Sequence, residues 1–441
     1  MIEIIFKIFS IAFSAYFLQI LLKNPSKAFW FGYFTLLAIP SSGTNIVIDL
    51  IEIVPLGGFS INIIHVIVCS LFFTAIRKKG KLLLPKENLS YITIALFLSY
   101  TIGIFIGFVR NPIVDVLRDS QKYLLQIMWL FVLIEQCRNN INENKLLSVT
   151  SKALIVNFLS VIFMNIFPDY FSWIIIEDNL RLYEGEDDYL NPFGSFALNL
   201  AIFPLVLFFT QFFQKDKIKN LSVCGMISLA YILFFNQSRT ILLTSLAAVV
   251  MVVLMAVLIS NRSLATRIFM FAMLLSVAVF GGGYFLTTDN KIVVRLLAMD
   301  LLSESDTLLT RIMTIQYYSG LIKGNILGYG FGRLLPLVNQ FGRFHGEGGF
   351  YTDCLWLNLG MKGGWLTILI FGILVFVPIK NKFRKFMQGK DLRDFAYFCA
   401  IGAFIFTVTM MTGQLIHNYP IMLGGTAFIV VLSNEKKRCI E

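Results

Sequence analysis

The sequence predicts an all-α, polytopic integral membrane protein with about 12 to 14 transmembrane helices and one large extracytoplasmic loop. The 441-residue chain is 57% hydrophobic and only 14% charged, whereas soluble globular domains contain about 25% charged residues. Its apolar runs are unbroken and about 17 to 25 residues long, the length that a helix needs to cross a bilayer. Strands of a membrane barrel would be shorter and alternating. We therefore expect one transmembrane domain over residues 1–441.

Apolar runs of this kind recur about thirteen times along the chain. They lie near residues 3–22, 28–46, 60–76, 89–109, 121–137, 147–167, 193–213, 219–236, 240–260, 267–286, 351–379, 394–412 and 417–433. The second run is interrupted at residues 40–43, so it is either one kinked span or a partly interfacial segment, and an even number of spans is the alternative. The first run has no small-residue cleavage site, so we expect a retained first helix and no signal peptide.

Basic residues indicate the orientation of these spans. Every second connection is rich in lysine and arginine: Lys23 and Lys27; Arg77, Lys78, Lys79, Lys81 and Lys86; Arg138 and Lys145; Lys215, Lys217 and Lys219; Arg262 and Arg267; Lys380 through Arg393; and Lys436, Lys437 and Arg438. The positive-inside rule places these connections in the cytoplasm. The outer connections are then residues 47–59, 110–120, 168–192, 237–239, 287–350 and 413–416. The net charge of +11 thus reports topology, and we expect no nucleic-acid partner.

The longest outer connection, residues 287–350, is expected to carry part of a functional site. Apolar spacing predicts an interfacial amphipathic helix over 291–302 and a second helix over about 306–323. The sequence GYGFG at 328–332 follows. Its glycines Gly328, Gly330 and Gly332 let the backbone approach another surface closely, but the spacing matches neither a dinucleotide fingerprint nor a phosphate-binding loop.

The outer side is rich in arginine, which suits an anionic ligand. Its eight arginines are Arg110, Arg118, Arg181, Arg239, Arg295, Arg311, Arg333 and Arg343. The guanidinium fork binds phosphate or carboxylate in a bidentate manner. The alternative is that each arginine only pairs with an outer acid such as Asp115, Asp119 or Asp306. Arg239 stands at the tip of a short hairpin, where a guanidinium must be paired or face water.

Histidines and carboxylates near the outer side are the candidates for a general base. His345 and Glu347 lie in the large loop, Asp353 lies where the next span begins, and His417 lies at the mouth of the last span. An unperturbed imidazole titrates near neutrality, which suits a base. His65 lies within an apolar run and is expected to be a hydrogen-bonded core histidine.

Acidic and aromatic residues alternate in the outer connection from Pro168 to Asn191. This mixture fits either a sugar-binding surface or a solvated acidic loop. Asp187 and Asp188 lack a third fixed ligand for a divalent cation. The six cysteines are scattered singly and have no zinc-like spacing. We therefore expect reduced core cysteines, no metal site and no cofactor.

Three segments together resemble the O-antigen polymerase and ligase superfamily. They are NQSRT at the hairpin tip, LTRIMTIQYYSGLIKGNILGYGFG in the large loop, and YTDCLWLNLGMKGGW at the exit from that loop. By this resemblance Arg239 matches the hairpin arginine, Arg311 the arginine ahead of the glycine segment, and Gly328 to Gly332 that segment. The ligase branch usually has a histidine-asparagine or histidine-serine pair at the position of Gly349 and Phe350, whereas the nearest histidine of this chain, His345, is four residues early. Asp353 resembles the aspartate of the polymerase branch.

The resemblance implies a GT-C-like membrane glycosyltransferase of the bacterial inner membrane, with its site facing the periplasm or exterior. Its substrate would be a polyprenyl-pyrophosphate-linked oligosaccharide, and lipids and a chain-length regulator its partners in lipopolysaccharide biosynthesis. The resemblance implies Arg239 and Arg311 as catalytic residues. The residue types and their outer location add His345, Glu347 or Asp353 as the base. The expected substrate-binding residues are Arg295, Arg333, Arg343, Gly328, Gly330, Gly332 and His417. The alternatives are an O-antigen ligase that transfers glycan to lipid A-core and a flippase for the same lipid-linked sugar.

Overall fold

The structure, a computed structural model, describes residues 2–40, 52–56, 59–77, 88–138, 141–167, 196–211, 213, 220–234, 239–259, 306–336, 349–350, 352, 354–411, 416 and 418–434. Its α-helices are α1 (Ile2–Lys23), α2 (Pro25–Ala38), α3 (Ile63–Arg77), α4 (Asn88–Arg110), α5 (Ile113–Arg138), α6 (Glu143–Ile166), α7 (Ile202–Thr210), α8 (Leu221–Phe234), α9 (Arg239–Ile259), α10 (Asp306–Gly324), α11 (Leu355–Gly389), α12 (Leu392–Phe406) and α13 (Tyr419–Ser433). A 3₁₀-helix, Phe196–Ala201, leads into α7, and one turn of π-helix, Thr407–Met411, extends α12.

Within the described residues, the α-helices other than α10 overlap the predicted apolar runs, although several of their ends differ from the predicted bounds. Within the described residues, four helices are long and apolar enough to cross a membrane: Asn88–Arg110, Glu143–Met164, Leu355–Gly389 and Leu392–Thr409. The predicted span at 267–286 and the predicted amphipathic helix at 291–302 lie outside the described residues. A helical membrane protein is therefore the class that the structure supports, and the total of about thirteen spans stays a prediction.

Asparagine side chains begin three of the helices. The Asn24 side chain accepts a hydrogen bond from Lys27 N at the start of α2, and Asn142 and Asn418 do the same at the starts of α6 and α13. Such caps satisfy backbone N–H groups that have no partner within the helix. The starts of these three helices are thus fixed by residues of the local sequence.

A two-stranded hairpin precedes α3, where the sequence predicts an outer loop over 47–59 and a spanning helix from about residue 60. Strand β1 (Glu52–Leu56) pairs antiparallel with β2 (Phe59–Asn62). Asn62 ends β2, and its Oδ1 accepts a hydrogen bond from Ile64 N at 3.1 Å, which begins α3. Within the described residues, this hairpin departs from the all-α prediction, and the β-branched residues of the segment favour it.

The last helix, α13, forms the centre of the bundle. All of its residues from Tyr419 to Ser433 are buried, as expected for a helix that is apolar on every side. Trp129 of α5 donates its indole N–H to Leu423 O at 2.9 Å, and Phe203 of α7 stacks on Phe428 with 3.8 Å between ring centroids. Large apolar side chains on peripheral helices, such as Phe105, are exposed, which fits contact with lipid.

Helix α11 is longer than its apolar run. It continues past the predicted end of the span at 379 and stops at Gly389, where Lys390 adopts φ of 50°. The lysine-rich segment that the sequence assigns to a connection is therefore largely helical. Near its other end, Gly364 has φ of 71° and interrupts the helical geometry. This kink lies opposite the glycine-rich segment that follows α10.

Candidate functional site

The GYGFG segment at 328–332 is inserted among α4, α5 and α11. Gly328, Gly330 and Gly332 have φ of +75°, +86° and +81°, a region in which residues with a Cβ are strained. A Cβ on Gly330 would lie 2.8 Å from Gly107 Cα. The predicted close approach of the backbone is confirmed, and the surface that it approaches is formed by helices of the same chain.

The backbone of this segment is hydrogen-bonded to those three helices. The bonds are Tyr329 N to Met361 O at 2.6 Å, Phe331 N to Gly103 O at 3.2 Å, Asn111 Nδ2 to Phe331 O at 2.7 Å, and Gly332 N to Asp119 Oδ2 at 2.8 Å. A backbone group already paired within the protein has less to offer a ligand. The segment therefore works first as a clamp that joins α4, α5 and α11 at one end of the bundle.

Phe331 anchors the clamp in the core. Its ring is fully buried and meets Tyr123 edge-on at 4.9 Å and Tyr100 edge-on at 6.1 Å between centroids. The Lys362 ammonium lies 5.4 Å from the centroids of Phe331 and Tyr123. Edge-to-face rings and a nearby cation both stabilise such a cluster.

A buried ion pair lies beneath the clamp. Lys362 Nζ of α11 contacts Asp119 Oδ1 of α5, and their side chains are only 3% and 2% exposed. The other carboxylate oxygen of Asp119 accepts the Gly332 N–H, so one side chain joins two helices and the segment. Sequence reasoning missed this pair, although a single lysine in an apolar span must find a partner. The alternative, in which Asp119 pairs with an outer arginine, does not hold for this residue, since its partner is a lysine.

Two arginines next to the clamp stack on aromatic rings. The guanidinium of Arg333 lies 4.0 Å from the Tyr329 centroid, and that of Arg118 lies 5.9 Å from the Phe350 centroid. Arg333 follows Gly332 in the chain and Arg118 precedes Asp119. Gly332 N donates a hydrogen bond to Asp119 Oδ2, which brings the two arginines close together in the fold. No salt bridge within the described part of the chain occupies either guanidinium. Both remain available for an anion as far as the described residues reach.

A single antiparallel bridge pairs Leu335, just after the clamp, with Gly349. Leu335 N donates to Gly349 O at 2.7 Å, and the two residues pair antiparallel. The bridge brings Phe350, which follows Gly349 in the chain, to the same part of the molecule as Arg333. The Arg118 and Arg333 stacks therefore belong to one surface.

Helix α10 carries Arg311, as predicted, and packs on α11. It begins at Asp306 and ends at Gly324, within a residue of the predicted bounds. Arg311 is half-buried, and its Nε is buried without a hydrogen-bond partner among the described residues. Tyr318 lies seven residues later and so on the same face. Arg311 is thus held against the protein, with part of its donor fork unoccupied there.

Tyr318 ties α10 to the segment after the clamp. Its hydroxyl donates to Pro336 O at 2.6 Å, and its ring is 1% exposed. Burial raises the pKa of the Tyr318 phenol well above its ordinary value, with Tyr317 adding to the effect and Arg333 opposing it. The hydroxyl therefore stays protonated and keeps donating.

Polar groups continue from Arg118 along α5 toward the start of α13. The ammonium of Lys122, one turn further, lies 5.4 Å from the Tyr419 ring centroid. His65 Nδ1 lies 2.7 Å from Asn62 Oδ1, and its Nε2 lies 2.6 Å from Gln121 Nε2. The prediction of a hydrogen-bonded His65 is confirmed. Lys122 and Gln121 were not among the sequence candidates because nothing local distinguishes them from other polar residues of a helix.

The remaining candidates fall at or beyond the limits of the described structure. Arg239 is the first residue of α9, as expected for a hairpin tip, and only its backbone is described. Nearby on α9, Thr244 Oγ1 lies 3.0 Å from Thr407 Oγ1 of the π-helical turn. The candidates that lie outside the described residues are Arg295, Arg343, His345, Glu347, Asp353 and His417. Among the residues that were described, no group of three or more histidine, cysteine or acidic side chains could hold a metal ion.

Comparison with family models finds no match for this chain, and comparison with curated proteins finds no relative. A functional assignment therefore depends on the residues themselves: a clamp of glycines, a buried ion pair beneath it, and arginines around it.

Proposed function

We propose that the protein is a membrane glycosyltransferase that polymerises polyprenyl-pyrophosphate-linked repeat units of O-antigen, or of a related surface polysaccharide, on the outer face of the bacterial inner membrane. The observation that carries the proposal is the pair of guanidiniums at Arg118 and Arg333 beside the clamp. Arg311 is added from α10, the helix that Tyr318 joins to the segment after the clamp. Within the described residues none of them is in a salt bridge. The sequence resemblance to O-antigen polymerases agrees with this arrangement.

The reaction moves a glycan from a pyrophosphate to a sugar hydroxyl. The bond between the anomeric carbon of the growing glycan and the pyrophosphate oxygen breaks, and the hydroxyl oxygen of the incoming repeat unit forms a new bond to that carbon. The hydroxyl proton passes to a base, and polyprenyl pyrophosphate leaves with both electrons of the broken bond. Negative charge therefore grows on the leaving pyrophosphate.

Arginines are assigned to that growing charge. Preplaced guanidiniums stabilise a developing oxyanion strongly in a site that excludes water. We assign this role to Arg239 and Arg311, with Arg295, Arg333 and Arg343 binding the phosphates. His345 is the first candidate for the base, ahead of Glu347 and Asp353, and His417 is a further substrate contact. Gly328, Gly330 and Gly332 contribute by holding Arg333 in place.

The experiment compares alanine variants at the outer end with a control arginine at the other end. Arg311→Ala, Arg333→Ala and Arg239→Ala are each expressed in a strain that lacks the gene, and glycan chain length is read on a gel. We expect a loss of about 100-fold or more in elongation for Arg311→Ala, with single-repeat glycans accumulating. Arg77→Ala, exposed at the end of α3, should give normal chains. Normal chain lengths in both Arg239→Ala and Arg311→Ala would refute the assignment.

A second measurement separates the enzyme from its rivals. Purified protein is mixed with lipid-linked repeat units without an ion gradient. A polymerase elongates them, whereas a flippase does not. Loss of a ligase would leave long lipid-linked chains in cells, while loss of a polymerase leaves one repeat.

A further inference from the structure

A cavity of about 570 Å³ lies at the opposite end of the bundle from the clamp. Helices α4, α5, α11 and α13 line it with residues from the ends that the positive-inside rule assigns to the cytoplasm. These are Asn88, Leu89 and Ile92 of α4, Ile134 and Cys137 of α5, Val377, Lys380, Asn381 and Arg384 of α11, and Val430, Ser433 and Asn434 at the end of α13. We call this space the basic cavity.

The lining of the basic cavity has two chemical parts. Aliphatic side chains such as Leu89, Ile92 and Val430 form an apolar wall. Lys380 and Arg384 are one helical turn apart on α11, and both are exposed. Among the described residues that line the cavity, none is acidic. An anion with an apolar tail would complement both parts.

The basic cavity lies where the exposed apolar face of α11 ends. On α11 the side chains of Ile373 and Phe376 are 54% and 57% exposed, which places them toward lipid. The charged residues Lys380 and Arg384 begin directly after this apolar face. Basic side chains just cytoplasmic to a spanning helix attract anionic headgroups.

The floor of the cavity is held rigidly. Asn381 Nδ2 donates to Ser433 O at 2.9 Å and joins α11 to α13. The neighbouring Lys382 points elsewhere, toward Glu143 and Asp394. Because these contacts keep α11 and α13 in place, the cavity is part of the folded bundle.

We propose that the basic cavity binds the phosphate headgroup of an anionic phospholipid, with Lys380 and Arg384 on the phosphate and an acyl chain along the apolar wall. A lipid fits better than a soluble phosphate because five of the twelve described lining residues are aliphatic and the adjoining face of α11 has exposed apolar side chains. This proposal is independent of the glycosyltransferase assignment, whose residues lie at the other end.

The test measures which lipid the purified protein retains. Wild-type protein is reconstituted in bilayers of phosphatidylcholine with a minor fraction of phosphatidylglycerol, and retained lipid is counted by native mass spectrometry. Each cation near a membrane surface contributes about a fivefold preference for an anionic lipid. We expect Lys380→Gln to lower retained phosphatidylglycerol about fivefold, and Lys380→Gln with Arg384→Gln about 30-fold.

Matched controls separate this site from general charge. Lys23→Gln with Lys385→Gln removes the same charge from the same side without touching the cavity lining, and should keep retention within about twofold of wild type. Ile92→Trp fills the apolar wall, keeps both cations, and should lower retention. If the double variant fails to insert, Lys380→Gln decides alone, since its side chain is exposed.

Three results would overturn the proposal. The first is equal retention of phosphatidylcholine and phosphatidylglycerol by the wild type. The second is unchanged phosphatidylglycerol retention in Lys380→Gln. The third is displacement of the lipid by water-soluble glycerol phosphate at concentrations equal to those of the lipid, which would make the cavity a site for free phosphate.

Discussion

Helix α11 buries two lysines, one near each end, and the two are paired in different surroundings. Lys362 contacts Asp119, and both side chains are 3% exposed or less. Lys382 contacts Glu143 at 2.5 Å and Asp394 at 2.8 Å; its own side chain is 1% exposed, but those of its partners are 21% and 14% exposed. The two lysines are about 30 Å apart along the helix, close to the thickness of the hydrocarbon core.

The different exposure of the Lys362 and Lys382 pairs indicates a different structural role for each. The Asp119 side chain is 2% exposed. One of its carboxylate oxygens contacts Lys362 and the other accepts the Gly332 N–H, so the pair positions the clamp. Glu143 and Asp394 come from α6 and α12 and remain partly hydrated, so Lys382 joins helix ends. A fully desolvated pair costs much more to break than a partly hydrated one.

Removing Lys362 should have the largest effect on stability. Lys362→Met leaves the Asp119 carboxylate buried without a cation, and we expect a loss of about 3 to 5 kcal/mol in the free energy of unfolding. The measurement is thermal unfolding in a single detergent. Adding Asp119→Asn should recover most of this loss, since no buried charge remains and the amide oxygen still accepts the Gly332 N–H. A double variant as unstable as Lys362→Met would contradict this account; Asp115→Asn, on the same helix, is the control.

A methyl group on the clamp should come next. Gly330→Ala places a Cβ 2.8 Å from Gly107 Cα at φ of +86°, and we expect a loss of about 2 to 4 kcal/mol from strain and overpacking together. Gly320→Ala is the matched control, since its added Cβ meets nothing within 4 Å and a helical alanine should stabilise by about 0.5 to 1 kcal/mol. Equal melting temperatures for Gly330→Ala and wild type would show that the clamp is not tightly packed.

Replacing Lys382 should destabilise the protein less than replacing Lys362. Lys382→Met leaves two carboxylates that can draw on water, so we expect a loss of about 1 to 2 kcal/mol. Glycan chain length should stay normal, because these residues lie far from the clamp. A loss equal to that of Lys362→Met in the same unfolding assay would erase the distinction between the two ends.

The smallest effect should come from the bond that holds α10. Tyr318→Phe removes the donor to Pro336 O and keeps the ring, so we expect a loss of about 1 kcal/mol. Unfolding followed by circular dichroism measures it, with Tyr91→Phe as the control because Tyr91 is 60% exposed. An unchanged stability would mean that water replaces the bond without cost.

Helix positions were predictable because their signals are local. The helix predicted over about 306–323 is observed at Asp306–Gly324, since spacing of apolar residues and breaking glycines both lie within it. The end of α11 was predicted too early because hydropathy marks where the apolar run ends, whereas helical hydrogen bonds continue through lysines. The hairpin of β1 and β2 was missed for a related reason, since its strands are too short to show a clear period.

The clamp was predictable only in part. Three glycines within five residues indicated a close approach of the backbone, and that is what the structure has. The contacts of the clamp, however, reach residues more than 200 positions away, such as Asp119 from Gly332. Nothing in the neighbouring sequence encodes such a partner.

From composition and the order of charges alone, the sequence predicted a helical membrane protein, which the structure supports, and the approximate positions of the described helices, because hydropathy and helix signals act over a few turns. The arginine-rich outer side stays a prediction. The tertiary structure was needed to show that Asp119 pairs with Lys362, that the GYGFG backbone is hydrogen-bonded to neighbouring helices, and that Arg118 and Arg333 share one surface. Those facts depend on which distant helices pack together. Packing is set by the fit of whole faces, which no short stretch of sequence contains.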